Sequence, residues 1–165
     1  FSTTFLGNIP MAFNPSTPIT GAAQTGLTSP TYTLATDVAP DINGKQVAVT
    51  ALGGTQTGVV AHSISSPFTG TCIRPKVMRT LPSPNPTTGV VKNVPKNTTK
   101  VITRKGVIPL AGQPASMMII TTTIDVPAGS DTADVNSVRA ALSMHLGLLA
   151  QQSAGIGDVV VTGIL

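Results

Sequence analysis

The sequence predicts an α+β fold in which an antiparallel sheet is followed by one long apolar helix and a short tail. Three observations predict it. Segments rich in Val, Ile and Thr recur between turn signals from residue 31 to 126, the pattern of consecutive antiparallel strands. After residue 130 the apolar spacing changes to three and four, the period of a helix. Strands in a run, rather than alternating with helices, place the helix over one face of the sheet. The other face is left to water or a ligand.

Residues 1–30 carry Pro10, Pro15, Pro18 and Pro30 among Gly, Ser and Thr, and read as an extended arm with one short strand expected near Thr4–Leu6. The β region is 31–126. Thr31–Thr36 and Gln46–Leu52 are strand candidates, and Asp41-Ile42-Asn43-Gly44 between them is a turn signal. Val59–Ser65 and Thr71–Arg79 follow. Residues 80–97, with Pro82, Pro84, Pro86, Pro95 and Gly89, read as a long surface loop with room for a short strand at Val90–Lys92. Thr99–Ile108 and Ser116–Val126 complete the β region. Ser130 or Asp131 can cap the helix over 131–152, and Asp134 adds a second negative charge in its first turn. Ser153-Ala154-Gly155 is expected to end it. The tail, 153–165, is open between helix and strand, since Val159-Val160-Val161 favours a strand on propensity. The whole chain, 1–165, reads as a single domain.

Along the helix Val135, Val138, Leu142, Leu146 and Leu149 form one apolar stripe, yet Ala140, Ala141, Met144 and Leu148 make the opposite side apolar as well. A helix apolar around most of its circumference requires burial on two sides, and a second subunit is the simplest provider. Composition agrees. Only 10% of residues are charged, none is Glu, and 41% are hydrophobic, which excludes disorder and leaves a monomer weakly protected against association. Cys72 is the one cysteine, so no intrachain disulfide can form; a buried reduced thiol or a symmetric intersubunit pair remain. The start of the chain has no basic segment leading into an apolar run, so no signal peptide is expected. No apolar stretch approaches the roughly 20 residues of a membrane helix, and no membrane partner is expected.

Eight of the ten basic residues fall between Arg74 and Lys105, and no acidic residue occurs from 42 to 124. Such a block repels itself unless a polyanion neutralises it, and nucleic-acid phosphate is the commonest one. Alternation puts Arg74 and Lys76 on one side of Thr71–Arg79, where Pro75 marks an edge strand, a bulge or a strand end. In Thr99–Ile108, Lys100 and Arg104 share a side and Lys105 takes the other, which suggests a bulge near Arg104–Gly106. In Ser116–Val126, Met118, Ile120, Thr122 and Ile124 make the better core face, leaving Thr121 and Thr123 on the open one. Hydroxyls there can bond phosphate or base edges while Arg and Lys supply charge. Aromatics are few, so contacts should be electrostatic and strongly salt-dependent rather than stacked.

Catalysis is not expected. His62 and His145 lie on different elements without a triad partner nearby, no Cys/His spacing suits zinc, and Gly53–Gly58 matches neither dinucleotide nor phosphate-loop patterns. No cofactor, metal or small-molecule substrate is expected.

The segment from Asp131 to Gln152, with Val138-Arg139, Leu142 and Leu148-Leu149 directly after the strand at Ser116–Val126, resembles the coat proteins of single-stranded RNA bacteriophages, the leviviruses. The resemblance implies an N-terminal hairpin, about five antiparallel strands, and one long and one short C-terminal helix, with two subunits intertwined as a homodimer. The sheets would join edge to edge, and each helix would lie over the partner's sheet. Val135, Val138, Leu142, Leu146 and Leu149 would then form the dimer interface. Dimers would assemble in the bacterial cytoplasm into an icosahedral virion whose inner sheet face packages single-stranded RNA and, through a hairpin, represses translation. Arg74, Lys76, Lys100, Arg104, Lys105, Thr121 and Thr123 would be the RNA-binding residues. One departure is plain: Met117 and Ile119 stand where the family often places a stacking aromatic. A stand-alone basic RNA- or DNA-binding β-sheet module is the runner-up reading, and a structural surface or fimbrial protein a third.

Overall fold

The computed structural model describes residues 12–165, so the strand expected near Thr4–Leu6 lies outside the described residues. Six strands form one antiparallel sheet whose spatial order is the chain order: β1 (Ile19–Thr20), β2 (Thr28–Asp37), β3 (Gly44–Thr55), β4 (Phe68–Ile73), β5 (Lys96–Val107) and β6 (Ser116–Pro127). Three helices follow, α1 (Ser130–Ala133), α2 (Val135–Gln151) and α3 (Ser153–Thr162). The α+β class is as expected, with part of the arm recruited: β1, and the start of β2, lie within residues 1–30.

Local hydrogen bonding explains where the strand expectations fail. Val59–Ser65 is not a strand, because its polar groups close on themselves. Ser63 accepts from the Ser66 amide through its hydroxyl (3.1 Å) and donates its own amide to the Ser66 carbonyl (3.1 Å). His62 ties this loop down, its amide donating to the Val49 carbonyl (2.8 Å) and its Nδ1 accepting from the Phe68 amide (3.0 Å). Val90–Lys92 is not a strand either, since Asn85 organises the loop by accepting the Thr87 amide (2.8 Å) on its side chain. The segment expected over Thr71–Arg79 ends at Ile73: the Arg74 amide turns to the Asn43 carbonyl (3.1 Å), and Pro75 has no amide hydrogen to give. No bulge occurs at Arg104–Gly106, where β5 and β6 pair in unbroken register from Lys96↔Pro127 to Val107↔Ser116. The irregularities lie between β2 and β3 instead.

The helical region also differs in detail. Gly129, at φ +90°, makes the left-handed turn out of β6, with Leu81 of the 80–97 loop packed against it. Asp134 is the N-cap of α2, its carboxylate accepting from the Ser137 amide (3.4 Å), rather than a first-turn charge on a helix begun at Ser130 or Asp131. Ser153–Gly155 begins α3 instead of ending the helix, so the tail is helical. That helix is anchored to residues 23–25: Gln24 donates to the Ser153 carbonyl (2.7 Å), the Ser153 hydroxyl to the Ala23 carbonyl, and Thr25 to Asp158 (3.1 Å).

Between the Asp134 cap and these anchors α2 finds little to pack on. Every residue from Arg139 to Ala150 is exposed. Among the described residues the buried apolar set is only Ala48, Val49, Ile102 and Ala128. The chain exposes 12191 Å², against roughly 7,600 Å² for a compact monomer of its mass. The sheet and the long apolar helix thus share little core and leave much apolar surface open.

Candidate nucleic-acid interface

Register divides the sheet into two faces. Residues paired across neighbouring strands point the same way, so one face carries Lys96, Lys100, Ile102 and Arg104 of β5 beside Thr121 and Thr123 of β6 and Thr69 and Thr71 of β4. The other carries Tyr32, Leu34, Val47, Val49, Phe68 and Val101, with Ile120 and Ile124 of β6. The first face is polar and basic along β5 and β4, but at the start of β6 it also carries exposed Ile119, opposite Arg104, and Met117, opposite Gly106. The second is apolar, and an open cavity of about 410 Å³ over it is lined by Phe13, Ile19, Tyr32, Leu34, Val49 and Phe68. At its β6 end, Thr122, Ile124 and Val126 are half-buried and share a 490 Å³ cleft with Val138, Ala141 and Leu142 of α2.

Four of the seven expected RNA-binding residues meet on the polar face. Lys100 stands directly opposite Thr123, while Thr121 pairs with Ile102, one step towards Arg104. Lys96 joins them, and sequence reasoning misses it. Its spacing of four from Lys100 gives it the same parity, but the 80–97 segment reads as loop and the strand as starting only at Thr99. Lys96, Lys100 and Arg104 therefore form a row along β5, with neighbours about 13 Å apart. Lys96 and Lys100 are exposed and Arg104 half-buried.

A chain of hydrogen bonds crosses this face beneath the row. Arg104 Nη1 donates to Thr71 Oγ1 (3.4 Å), Thr71 Oγ1 to Gln46 Oε1 (2.9 Å), and Gln46 Nε2 to Asp37 Oδ2 (2.7 Å). The bond from Gln46, with that from the Val38 amide (2.8 Å), holds the Asp37 carboxyl below its ordinary pKa. Asp125 accepts from Thr98 on the same face.

The other three candidates are elsewhere. Lys105 points to the apolar face, where its ammonium lies 5.1 Å from the centre of the Phe68 ring and donates to the Gly106 carbonyl (3.0 Å). Desolvation there pushes its pKa down. Its stem lies along apolar surface while its head finds a carbonyl, and that is why the strand needs no bulge. Arg74 and Lys76 lie beyond the end of β4. The Asn43 side-chain amide and backbone carbonyl clasp Arg74, and Lys76 forms an exposed ion pair with Asp41 (3.7 Å). The block that is free of acid in sequence thus meets an acid in space, brought by the turn between β2 and β3.

The apolar stripe expected at an interface is in the open. Val135 and Val138 are half-buried, and Leu142, Leu146 and Leu149 are exposed. Cys72 is half-buried, and burial raises its thiol pKa. His62 serves the backbone, as described, and His145 is exposed on α2. Among the described residues no cluster of three or more His, Cys, Asp or Glu side chains converges.

No family model matches this chain, and no curated protein does. Among solved structures, the virus-like particle of bacteriophage ESE020 is 58% identical, with a TM-score of 0.91, over 93% of this chain and 100% of that one. The virus-like particle of Beihai levi-like virus 32 is 16% identical, with a TM-score of 0.49, over 81% of this chain and 88% of that one.

Proposed function

This chain belongs to the levivirus-type coat proteins, and from that premise we propose that it pairs as a homodimer, closes into an icosahedral shell and packages single-stranded RNA on the polar face of its sheet. The role is structural, that of a capsid subunit in a virion.

The dimer follows from what the single chain leaves open. β6 is a 12-residue edge strand with Met117, Met118, Ile119 and Ile120 exposed, a template for pairing with the same strand of a second copy. Across such a pair, α2 of each subunit can reach the partner's apolar face and bury Val135, Val138, Leu142, Leu146 and Leu149 in the cavity over Tyr32 and Phe68. That arrangement satisfies both sides of a helix that its own subunit leaves bare. A stand-alone binding module would leave these surfaces in water.

The observation that carries the RNA reading is the basic row Lys96, Lys100 and Arg104 beside the hydroxyls of Thr121 and Thr123. Doubling the sheet across β6 would bring two such rows together on one continuous surface, with threonines between them. The cations would neutralise phosphates and the hydroxyls would bond phosphate or base edges. A hairpin of the viral message bound there would be closed to ribosomes, and translation would be repressed. Assembly would take place in the cytoplasm of the bacterial host.

Expressed alone in bacteria, the protein should form closed particles by electron microscopy with excess absorbance at 260 nm. The double substitution Lys100→Ala, Arg104→Ala should reduce RNA per particle to about half or less while dimers persist. Unchanged RNA content would remove the polar face from the reading.

A further inference from the structure

The polar face holds an arrangement that charge alone does not require. Thr71 is completely buried, and its hydroxyl sits between the guanidinium of Arg104 and the side-chain carbonyl of Gln46. Gln46 in turn donates to Asp37. The four residues come from β5, β4, β3 and β2, so the chain crosses three strand spacings, about 14 Å. Its direction is fixed by its ends. A guanidinium can only donate and an ionised carboxylate can only accept. Every link between them must therefore donate towards Asp37, which sets the rotor of Thr71 and the amide orientation of Gln46. Bonds aligned in one direction polarise one another, and here a cation and an anion terminate the series.

We infer that Thr71 and Gln46 are positioning residues for RNA binding, holding the Arg104 guanidinium in one posture on the polar face through a relay anchored at Asp37. This rests on the RNA reading proposed above. A free arginine side chain must lose rotamer freedom when it meets a phosphate, whereas one already held by Thr71 loses less. The relay uses one edge of the guanidinium and leaves its remaining donors for the ligand. Lys96 and Lys100, exposed and without such support, supply charge without fixed geometry.

The test measures binding of a labelled polyuridine strand to the unassembled protein across a salt series. Arg104→Ala should weaken binding and flatten the slope of log K against log salt by about 0.7, the loss of one single-strand phosphate contact. Thr71→Val, similar in shape but without the hydroxyl, should weaken binding about fivefold with the slope unchanged, because the cation remains and only its posture is lost. Thr71→Ser should restore affinity. Wild-type affinity in Thr71→Val would overturn the relay, as would equal weakening in Thr71→Val and Thr71→Ser, since that marks a packing defect. Gln46→Met breaks the same link from a half-buried position and replaces Thr71→Val in the comparison if that variant does not fold. An Arg104→Ala variant with unchanged affinity and slope would defeat the RNA reading itself.

Discussion

Lys105 and Arg104 are adjacent in sequence and opposite in consequence. Arg104 stands on the polar face; Lys105 lies over Phe68 on the apolar one. Lys105→Met should therefore leave polyuridine affinity and its salt slope unchanged, whereas Lys100→Ala should flatten the slope by about 0.7; binding titrations across salt check both. A flattened slope in Lys105→Met would return Lys105 to the RNA face. The sign of the Lys105 pKa shift fits this placement. The folded environment disfavours the ammonium, so the penalty is full below the lowered pKa, begins to fall as pH rises through it, and is gone above the ordinary lysine value. Asp37 has the opposite linkage: its depressed pKa contributes stability above the ordinary carboxylate range, lost as pH falls through the folded value. Strand parity in the sequence already separates Arg104 from Lys105. It does not reveal that Arg74 and Lys76 leave the sheet, because the partner that captures them, the turn at Asp41–Asn43, is distant along the chain.

At the scale of elements, β6 and α2 are the unusual pieces. β6 is a long apolar strand with one side unpaired, and α2 is a 17-residue helix with no buried residue. A charge placed in a hydrophobic stripe ordinarily destabilises the subunit that carries it. Here Leu146 is 53% exposed, so Leu146→Asp should leave the far-ultraviolet circular dichroism of the subunit intact and abolish dimers and particles in sedimentation. Loss of helicity along with assembly would instead show that α2 needs the partner in order to fold. The helix itself is legible from its three- and four-residue spacing. The break at Asp134 is not, because Ser130, Asp131 and Asp134 are all good caps and only the geometry at Ser137 selects among them. The helical tail is hidden for another reason: Val159-Val160-Val161 favours a strand locally, and the anchoring of Ser153 and Asp158 by residues 23–25 overrides that preference.

The whole molecule is a sheet with a polar face, an apolar face and an open edge, carrying a helix that its own core does not use. Its exposed area exceeds that of a compact monomer by about 4,600 Å², more than a standard interface buries on both partners together. Association should therefore add stability to the folded subunit by mass action. The thermal or denaturant midpoint of the unassembled protein should rise with protein concentration, and a midpoint independent of concentration would mark a self-sufficient monomer. The residue pattern alone carries the α+β class, the antiparallel sheet and the long helix with its all-round apolar surface. These rest on periodicity and composition, which act between near neighbours along the chain. Which cations share a face, that Lys96 joins them, and that Thr71 and Gln46 connect Arg104 to Asp37 emerge only in three dimensions. Those facts depend on register between strands distant in sequence, where a shift of one residue exchanges the two faces.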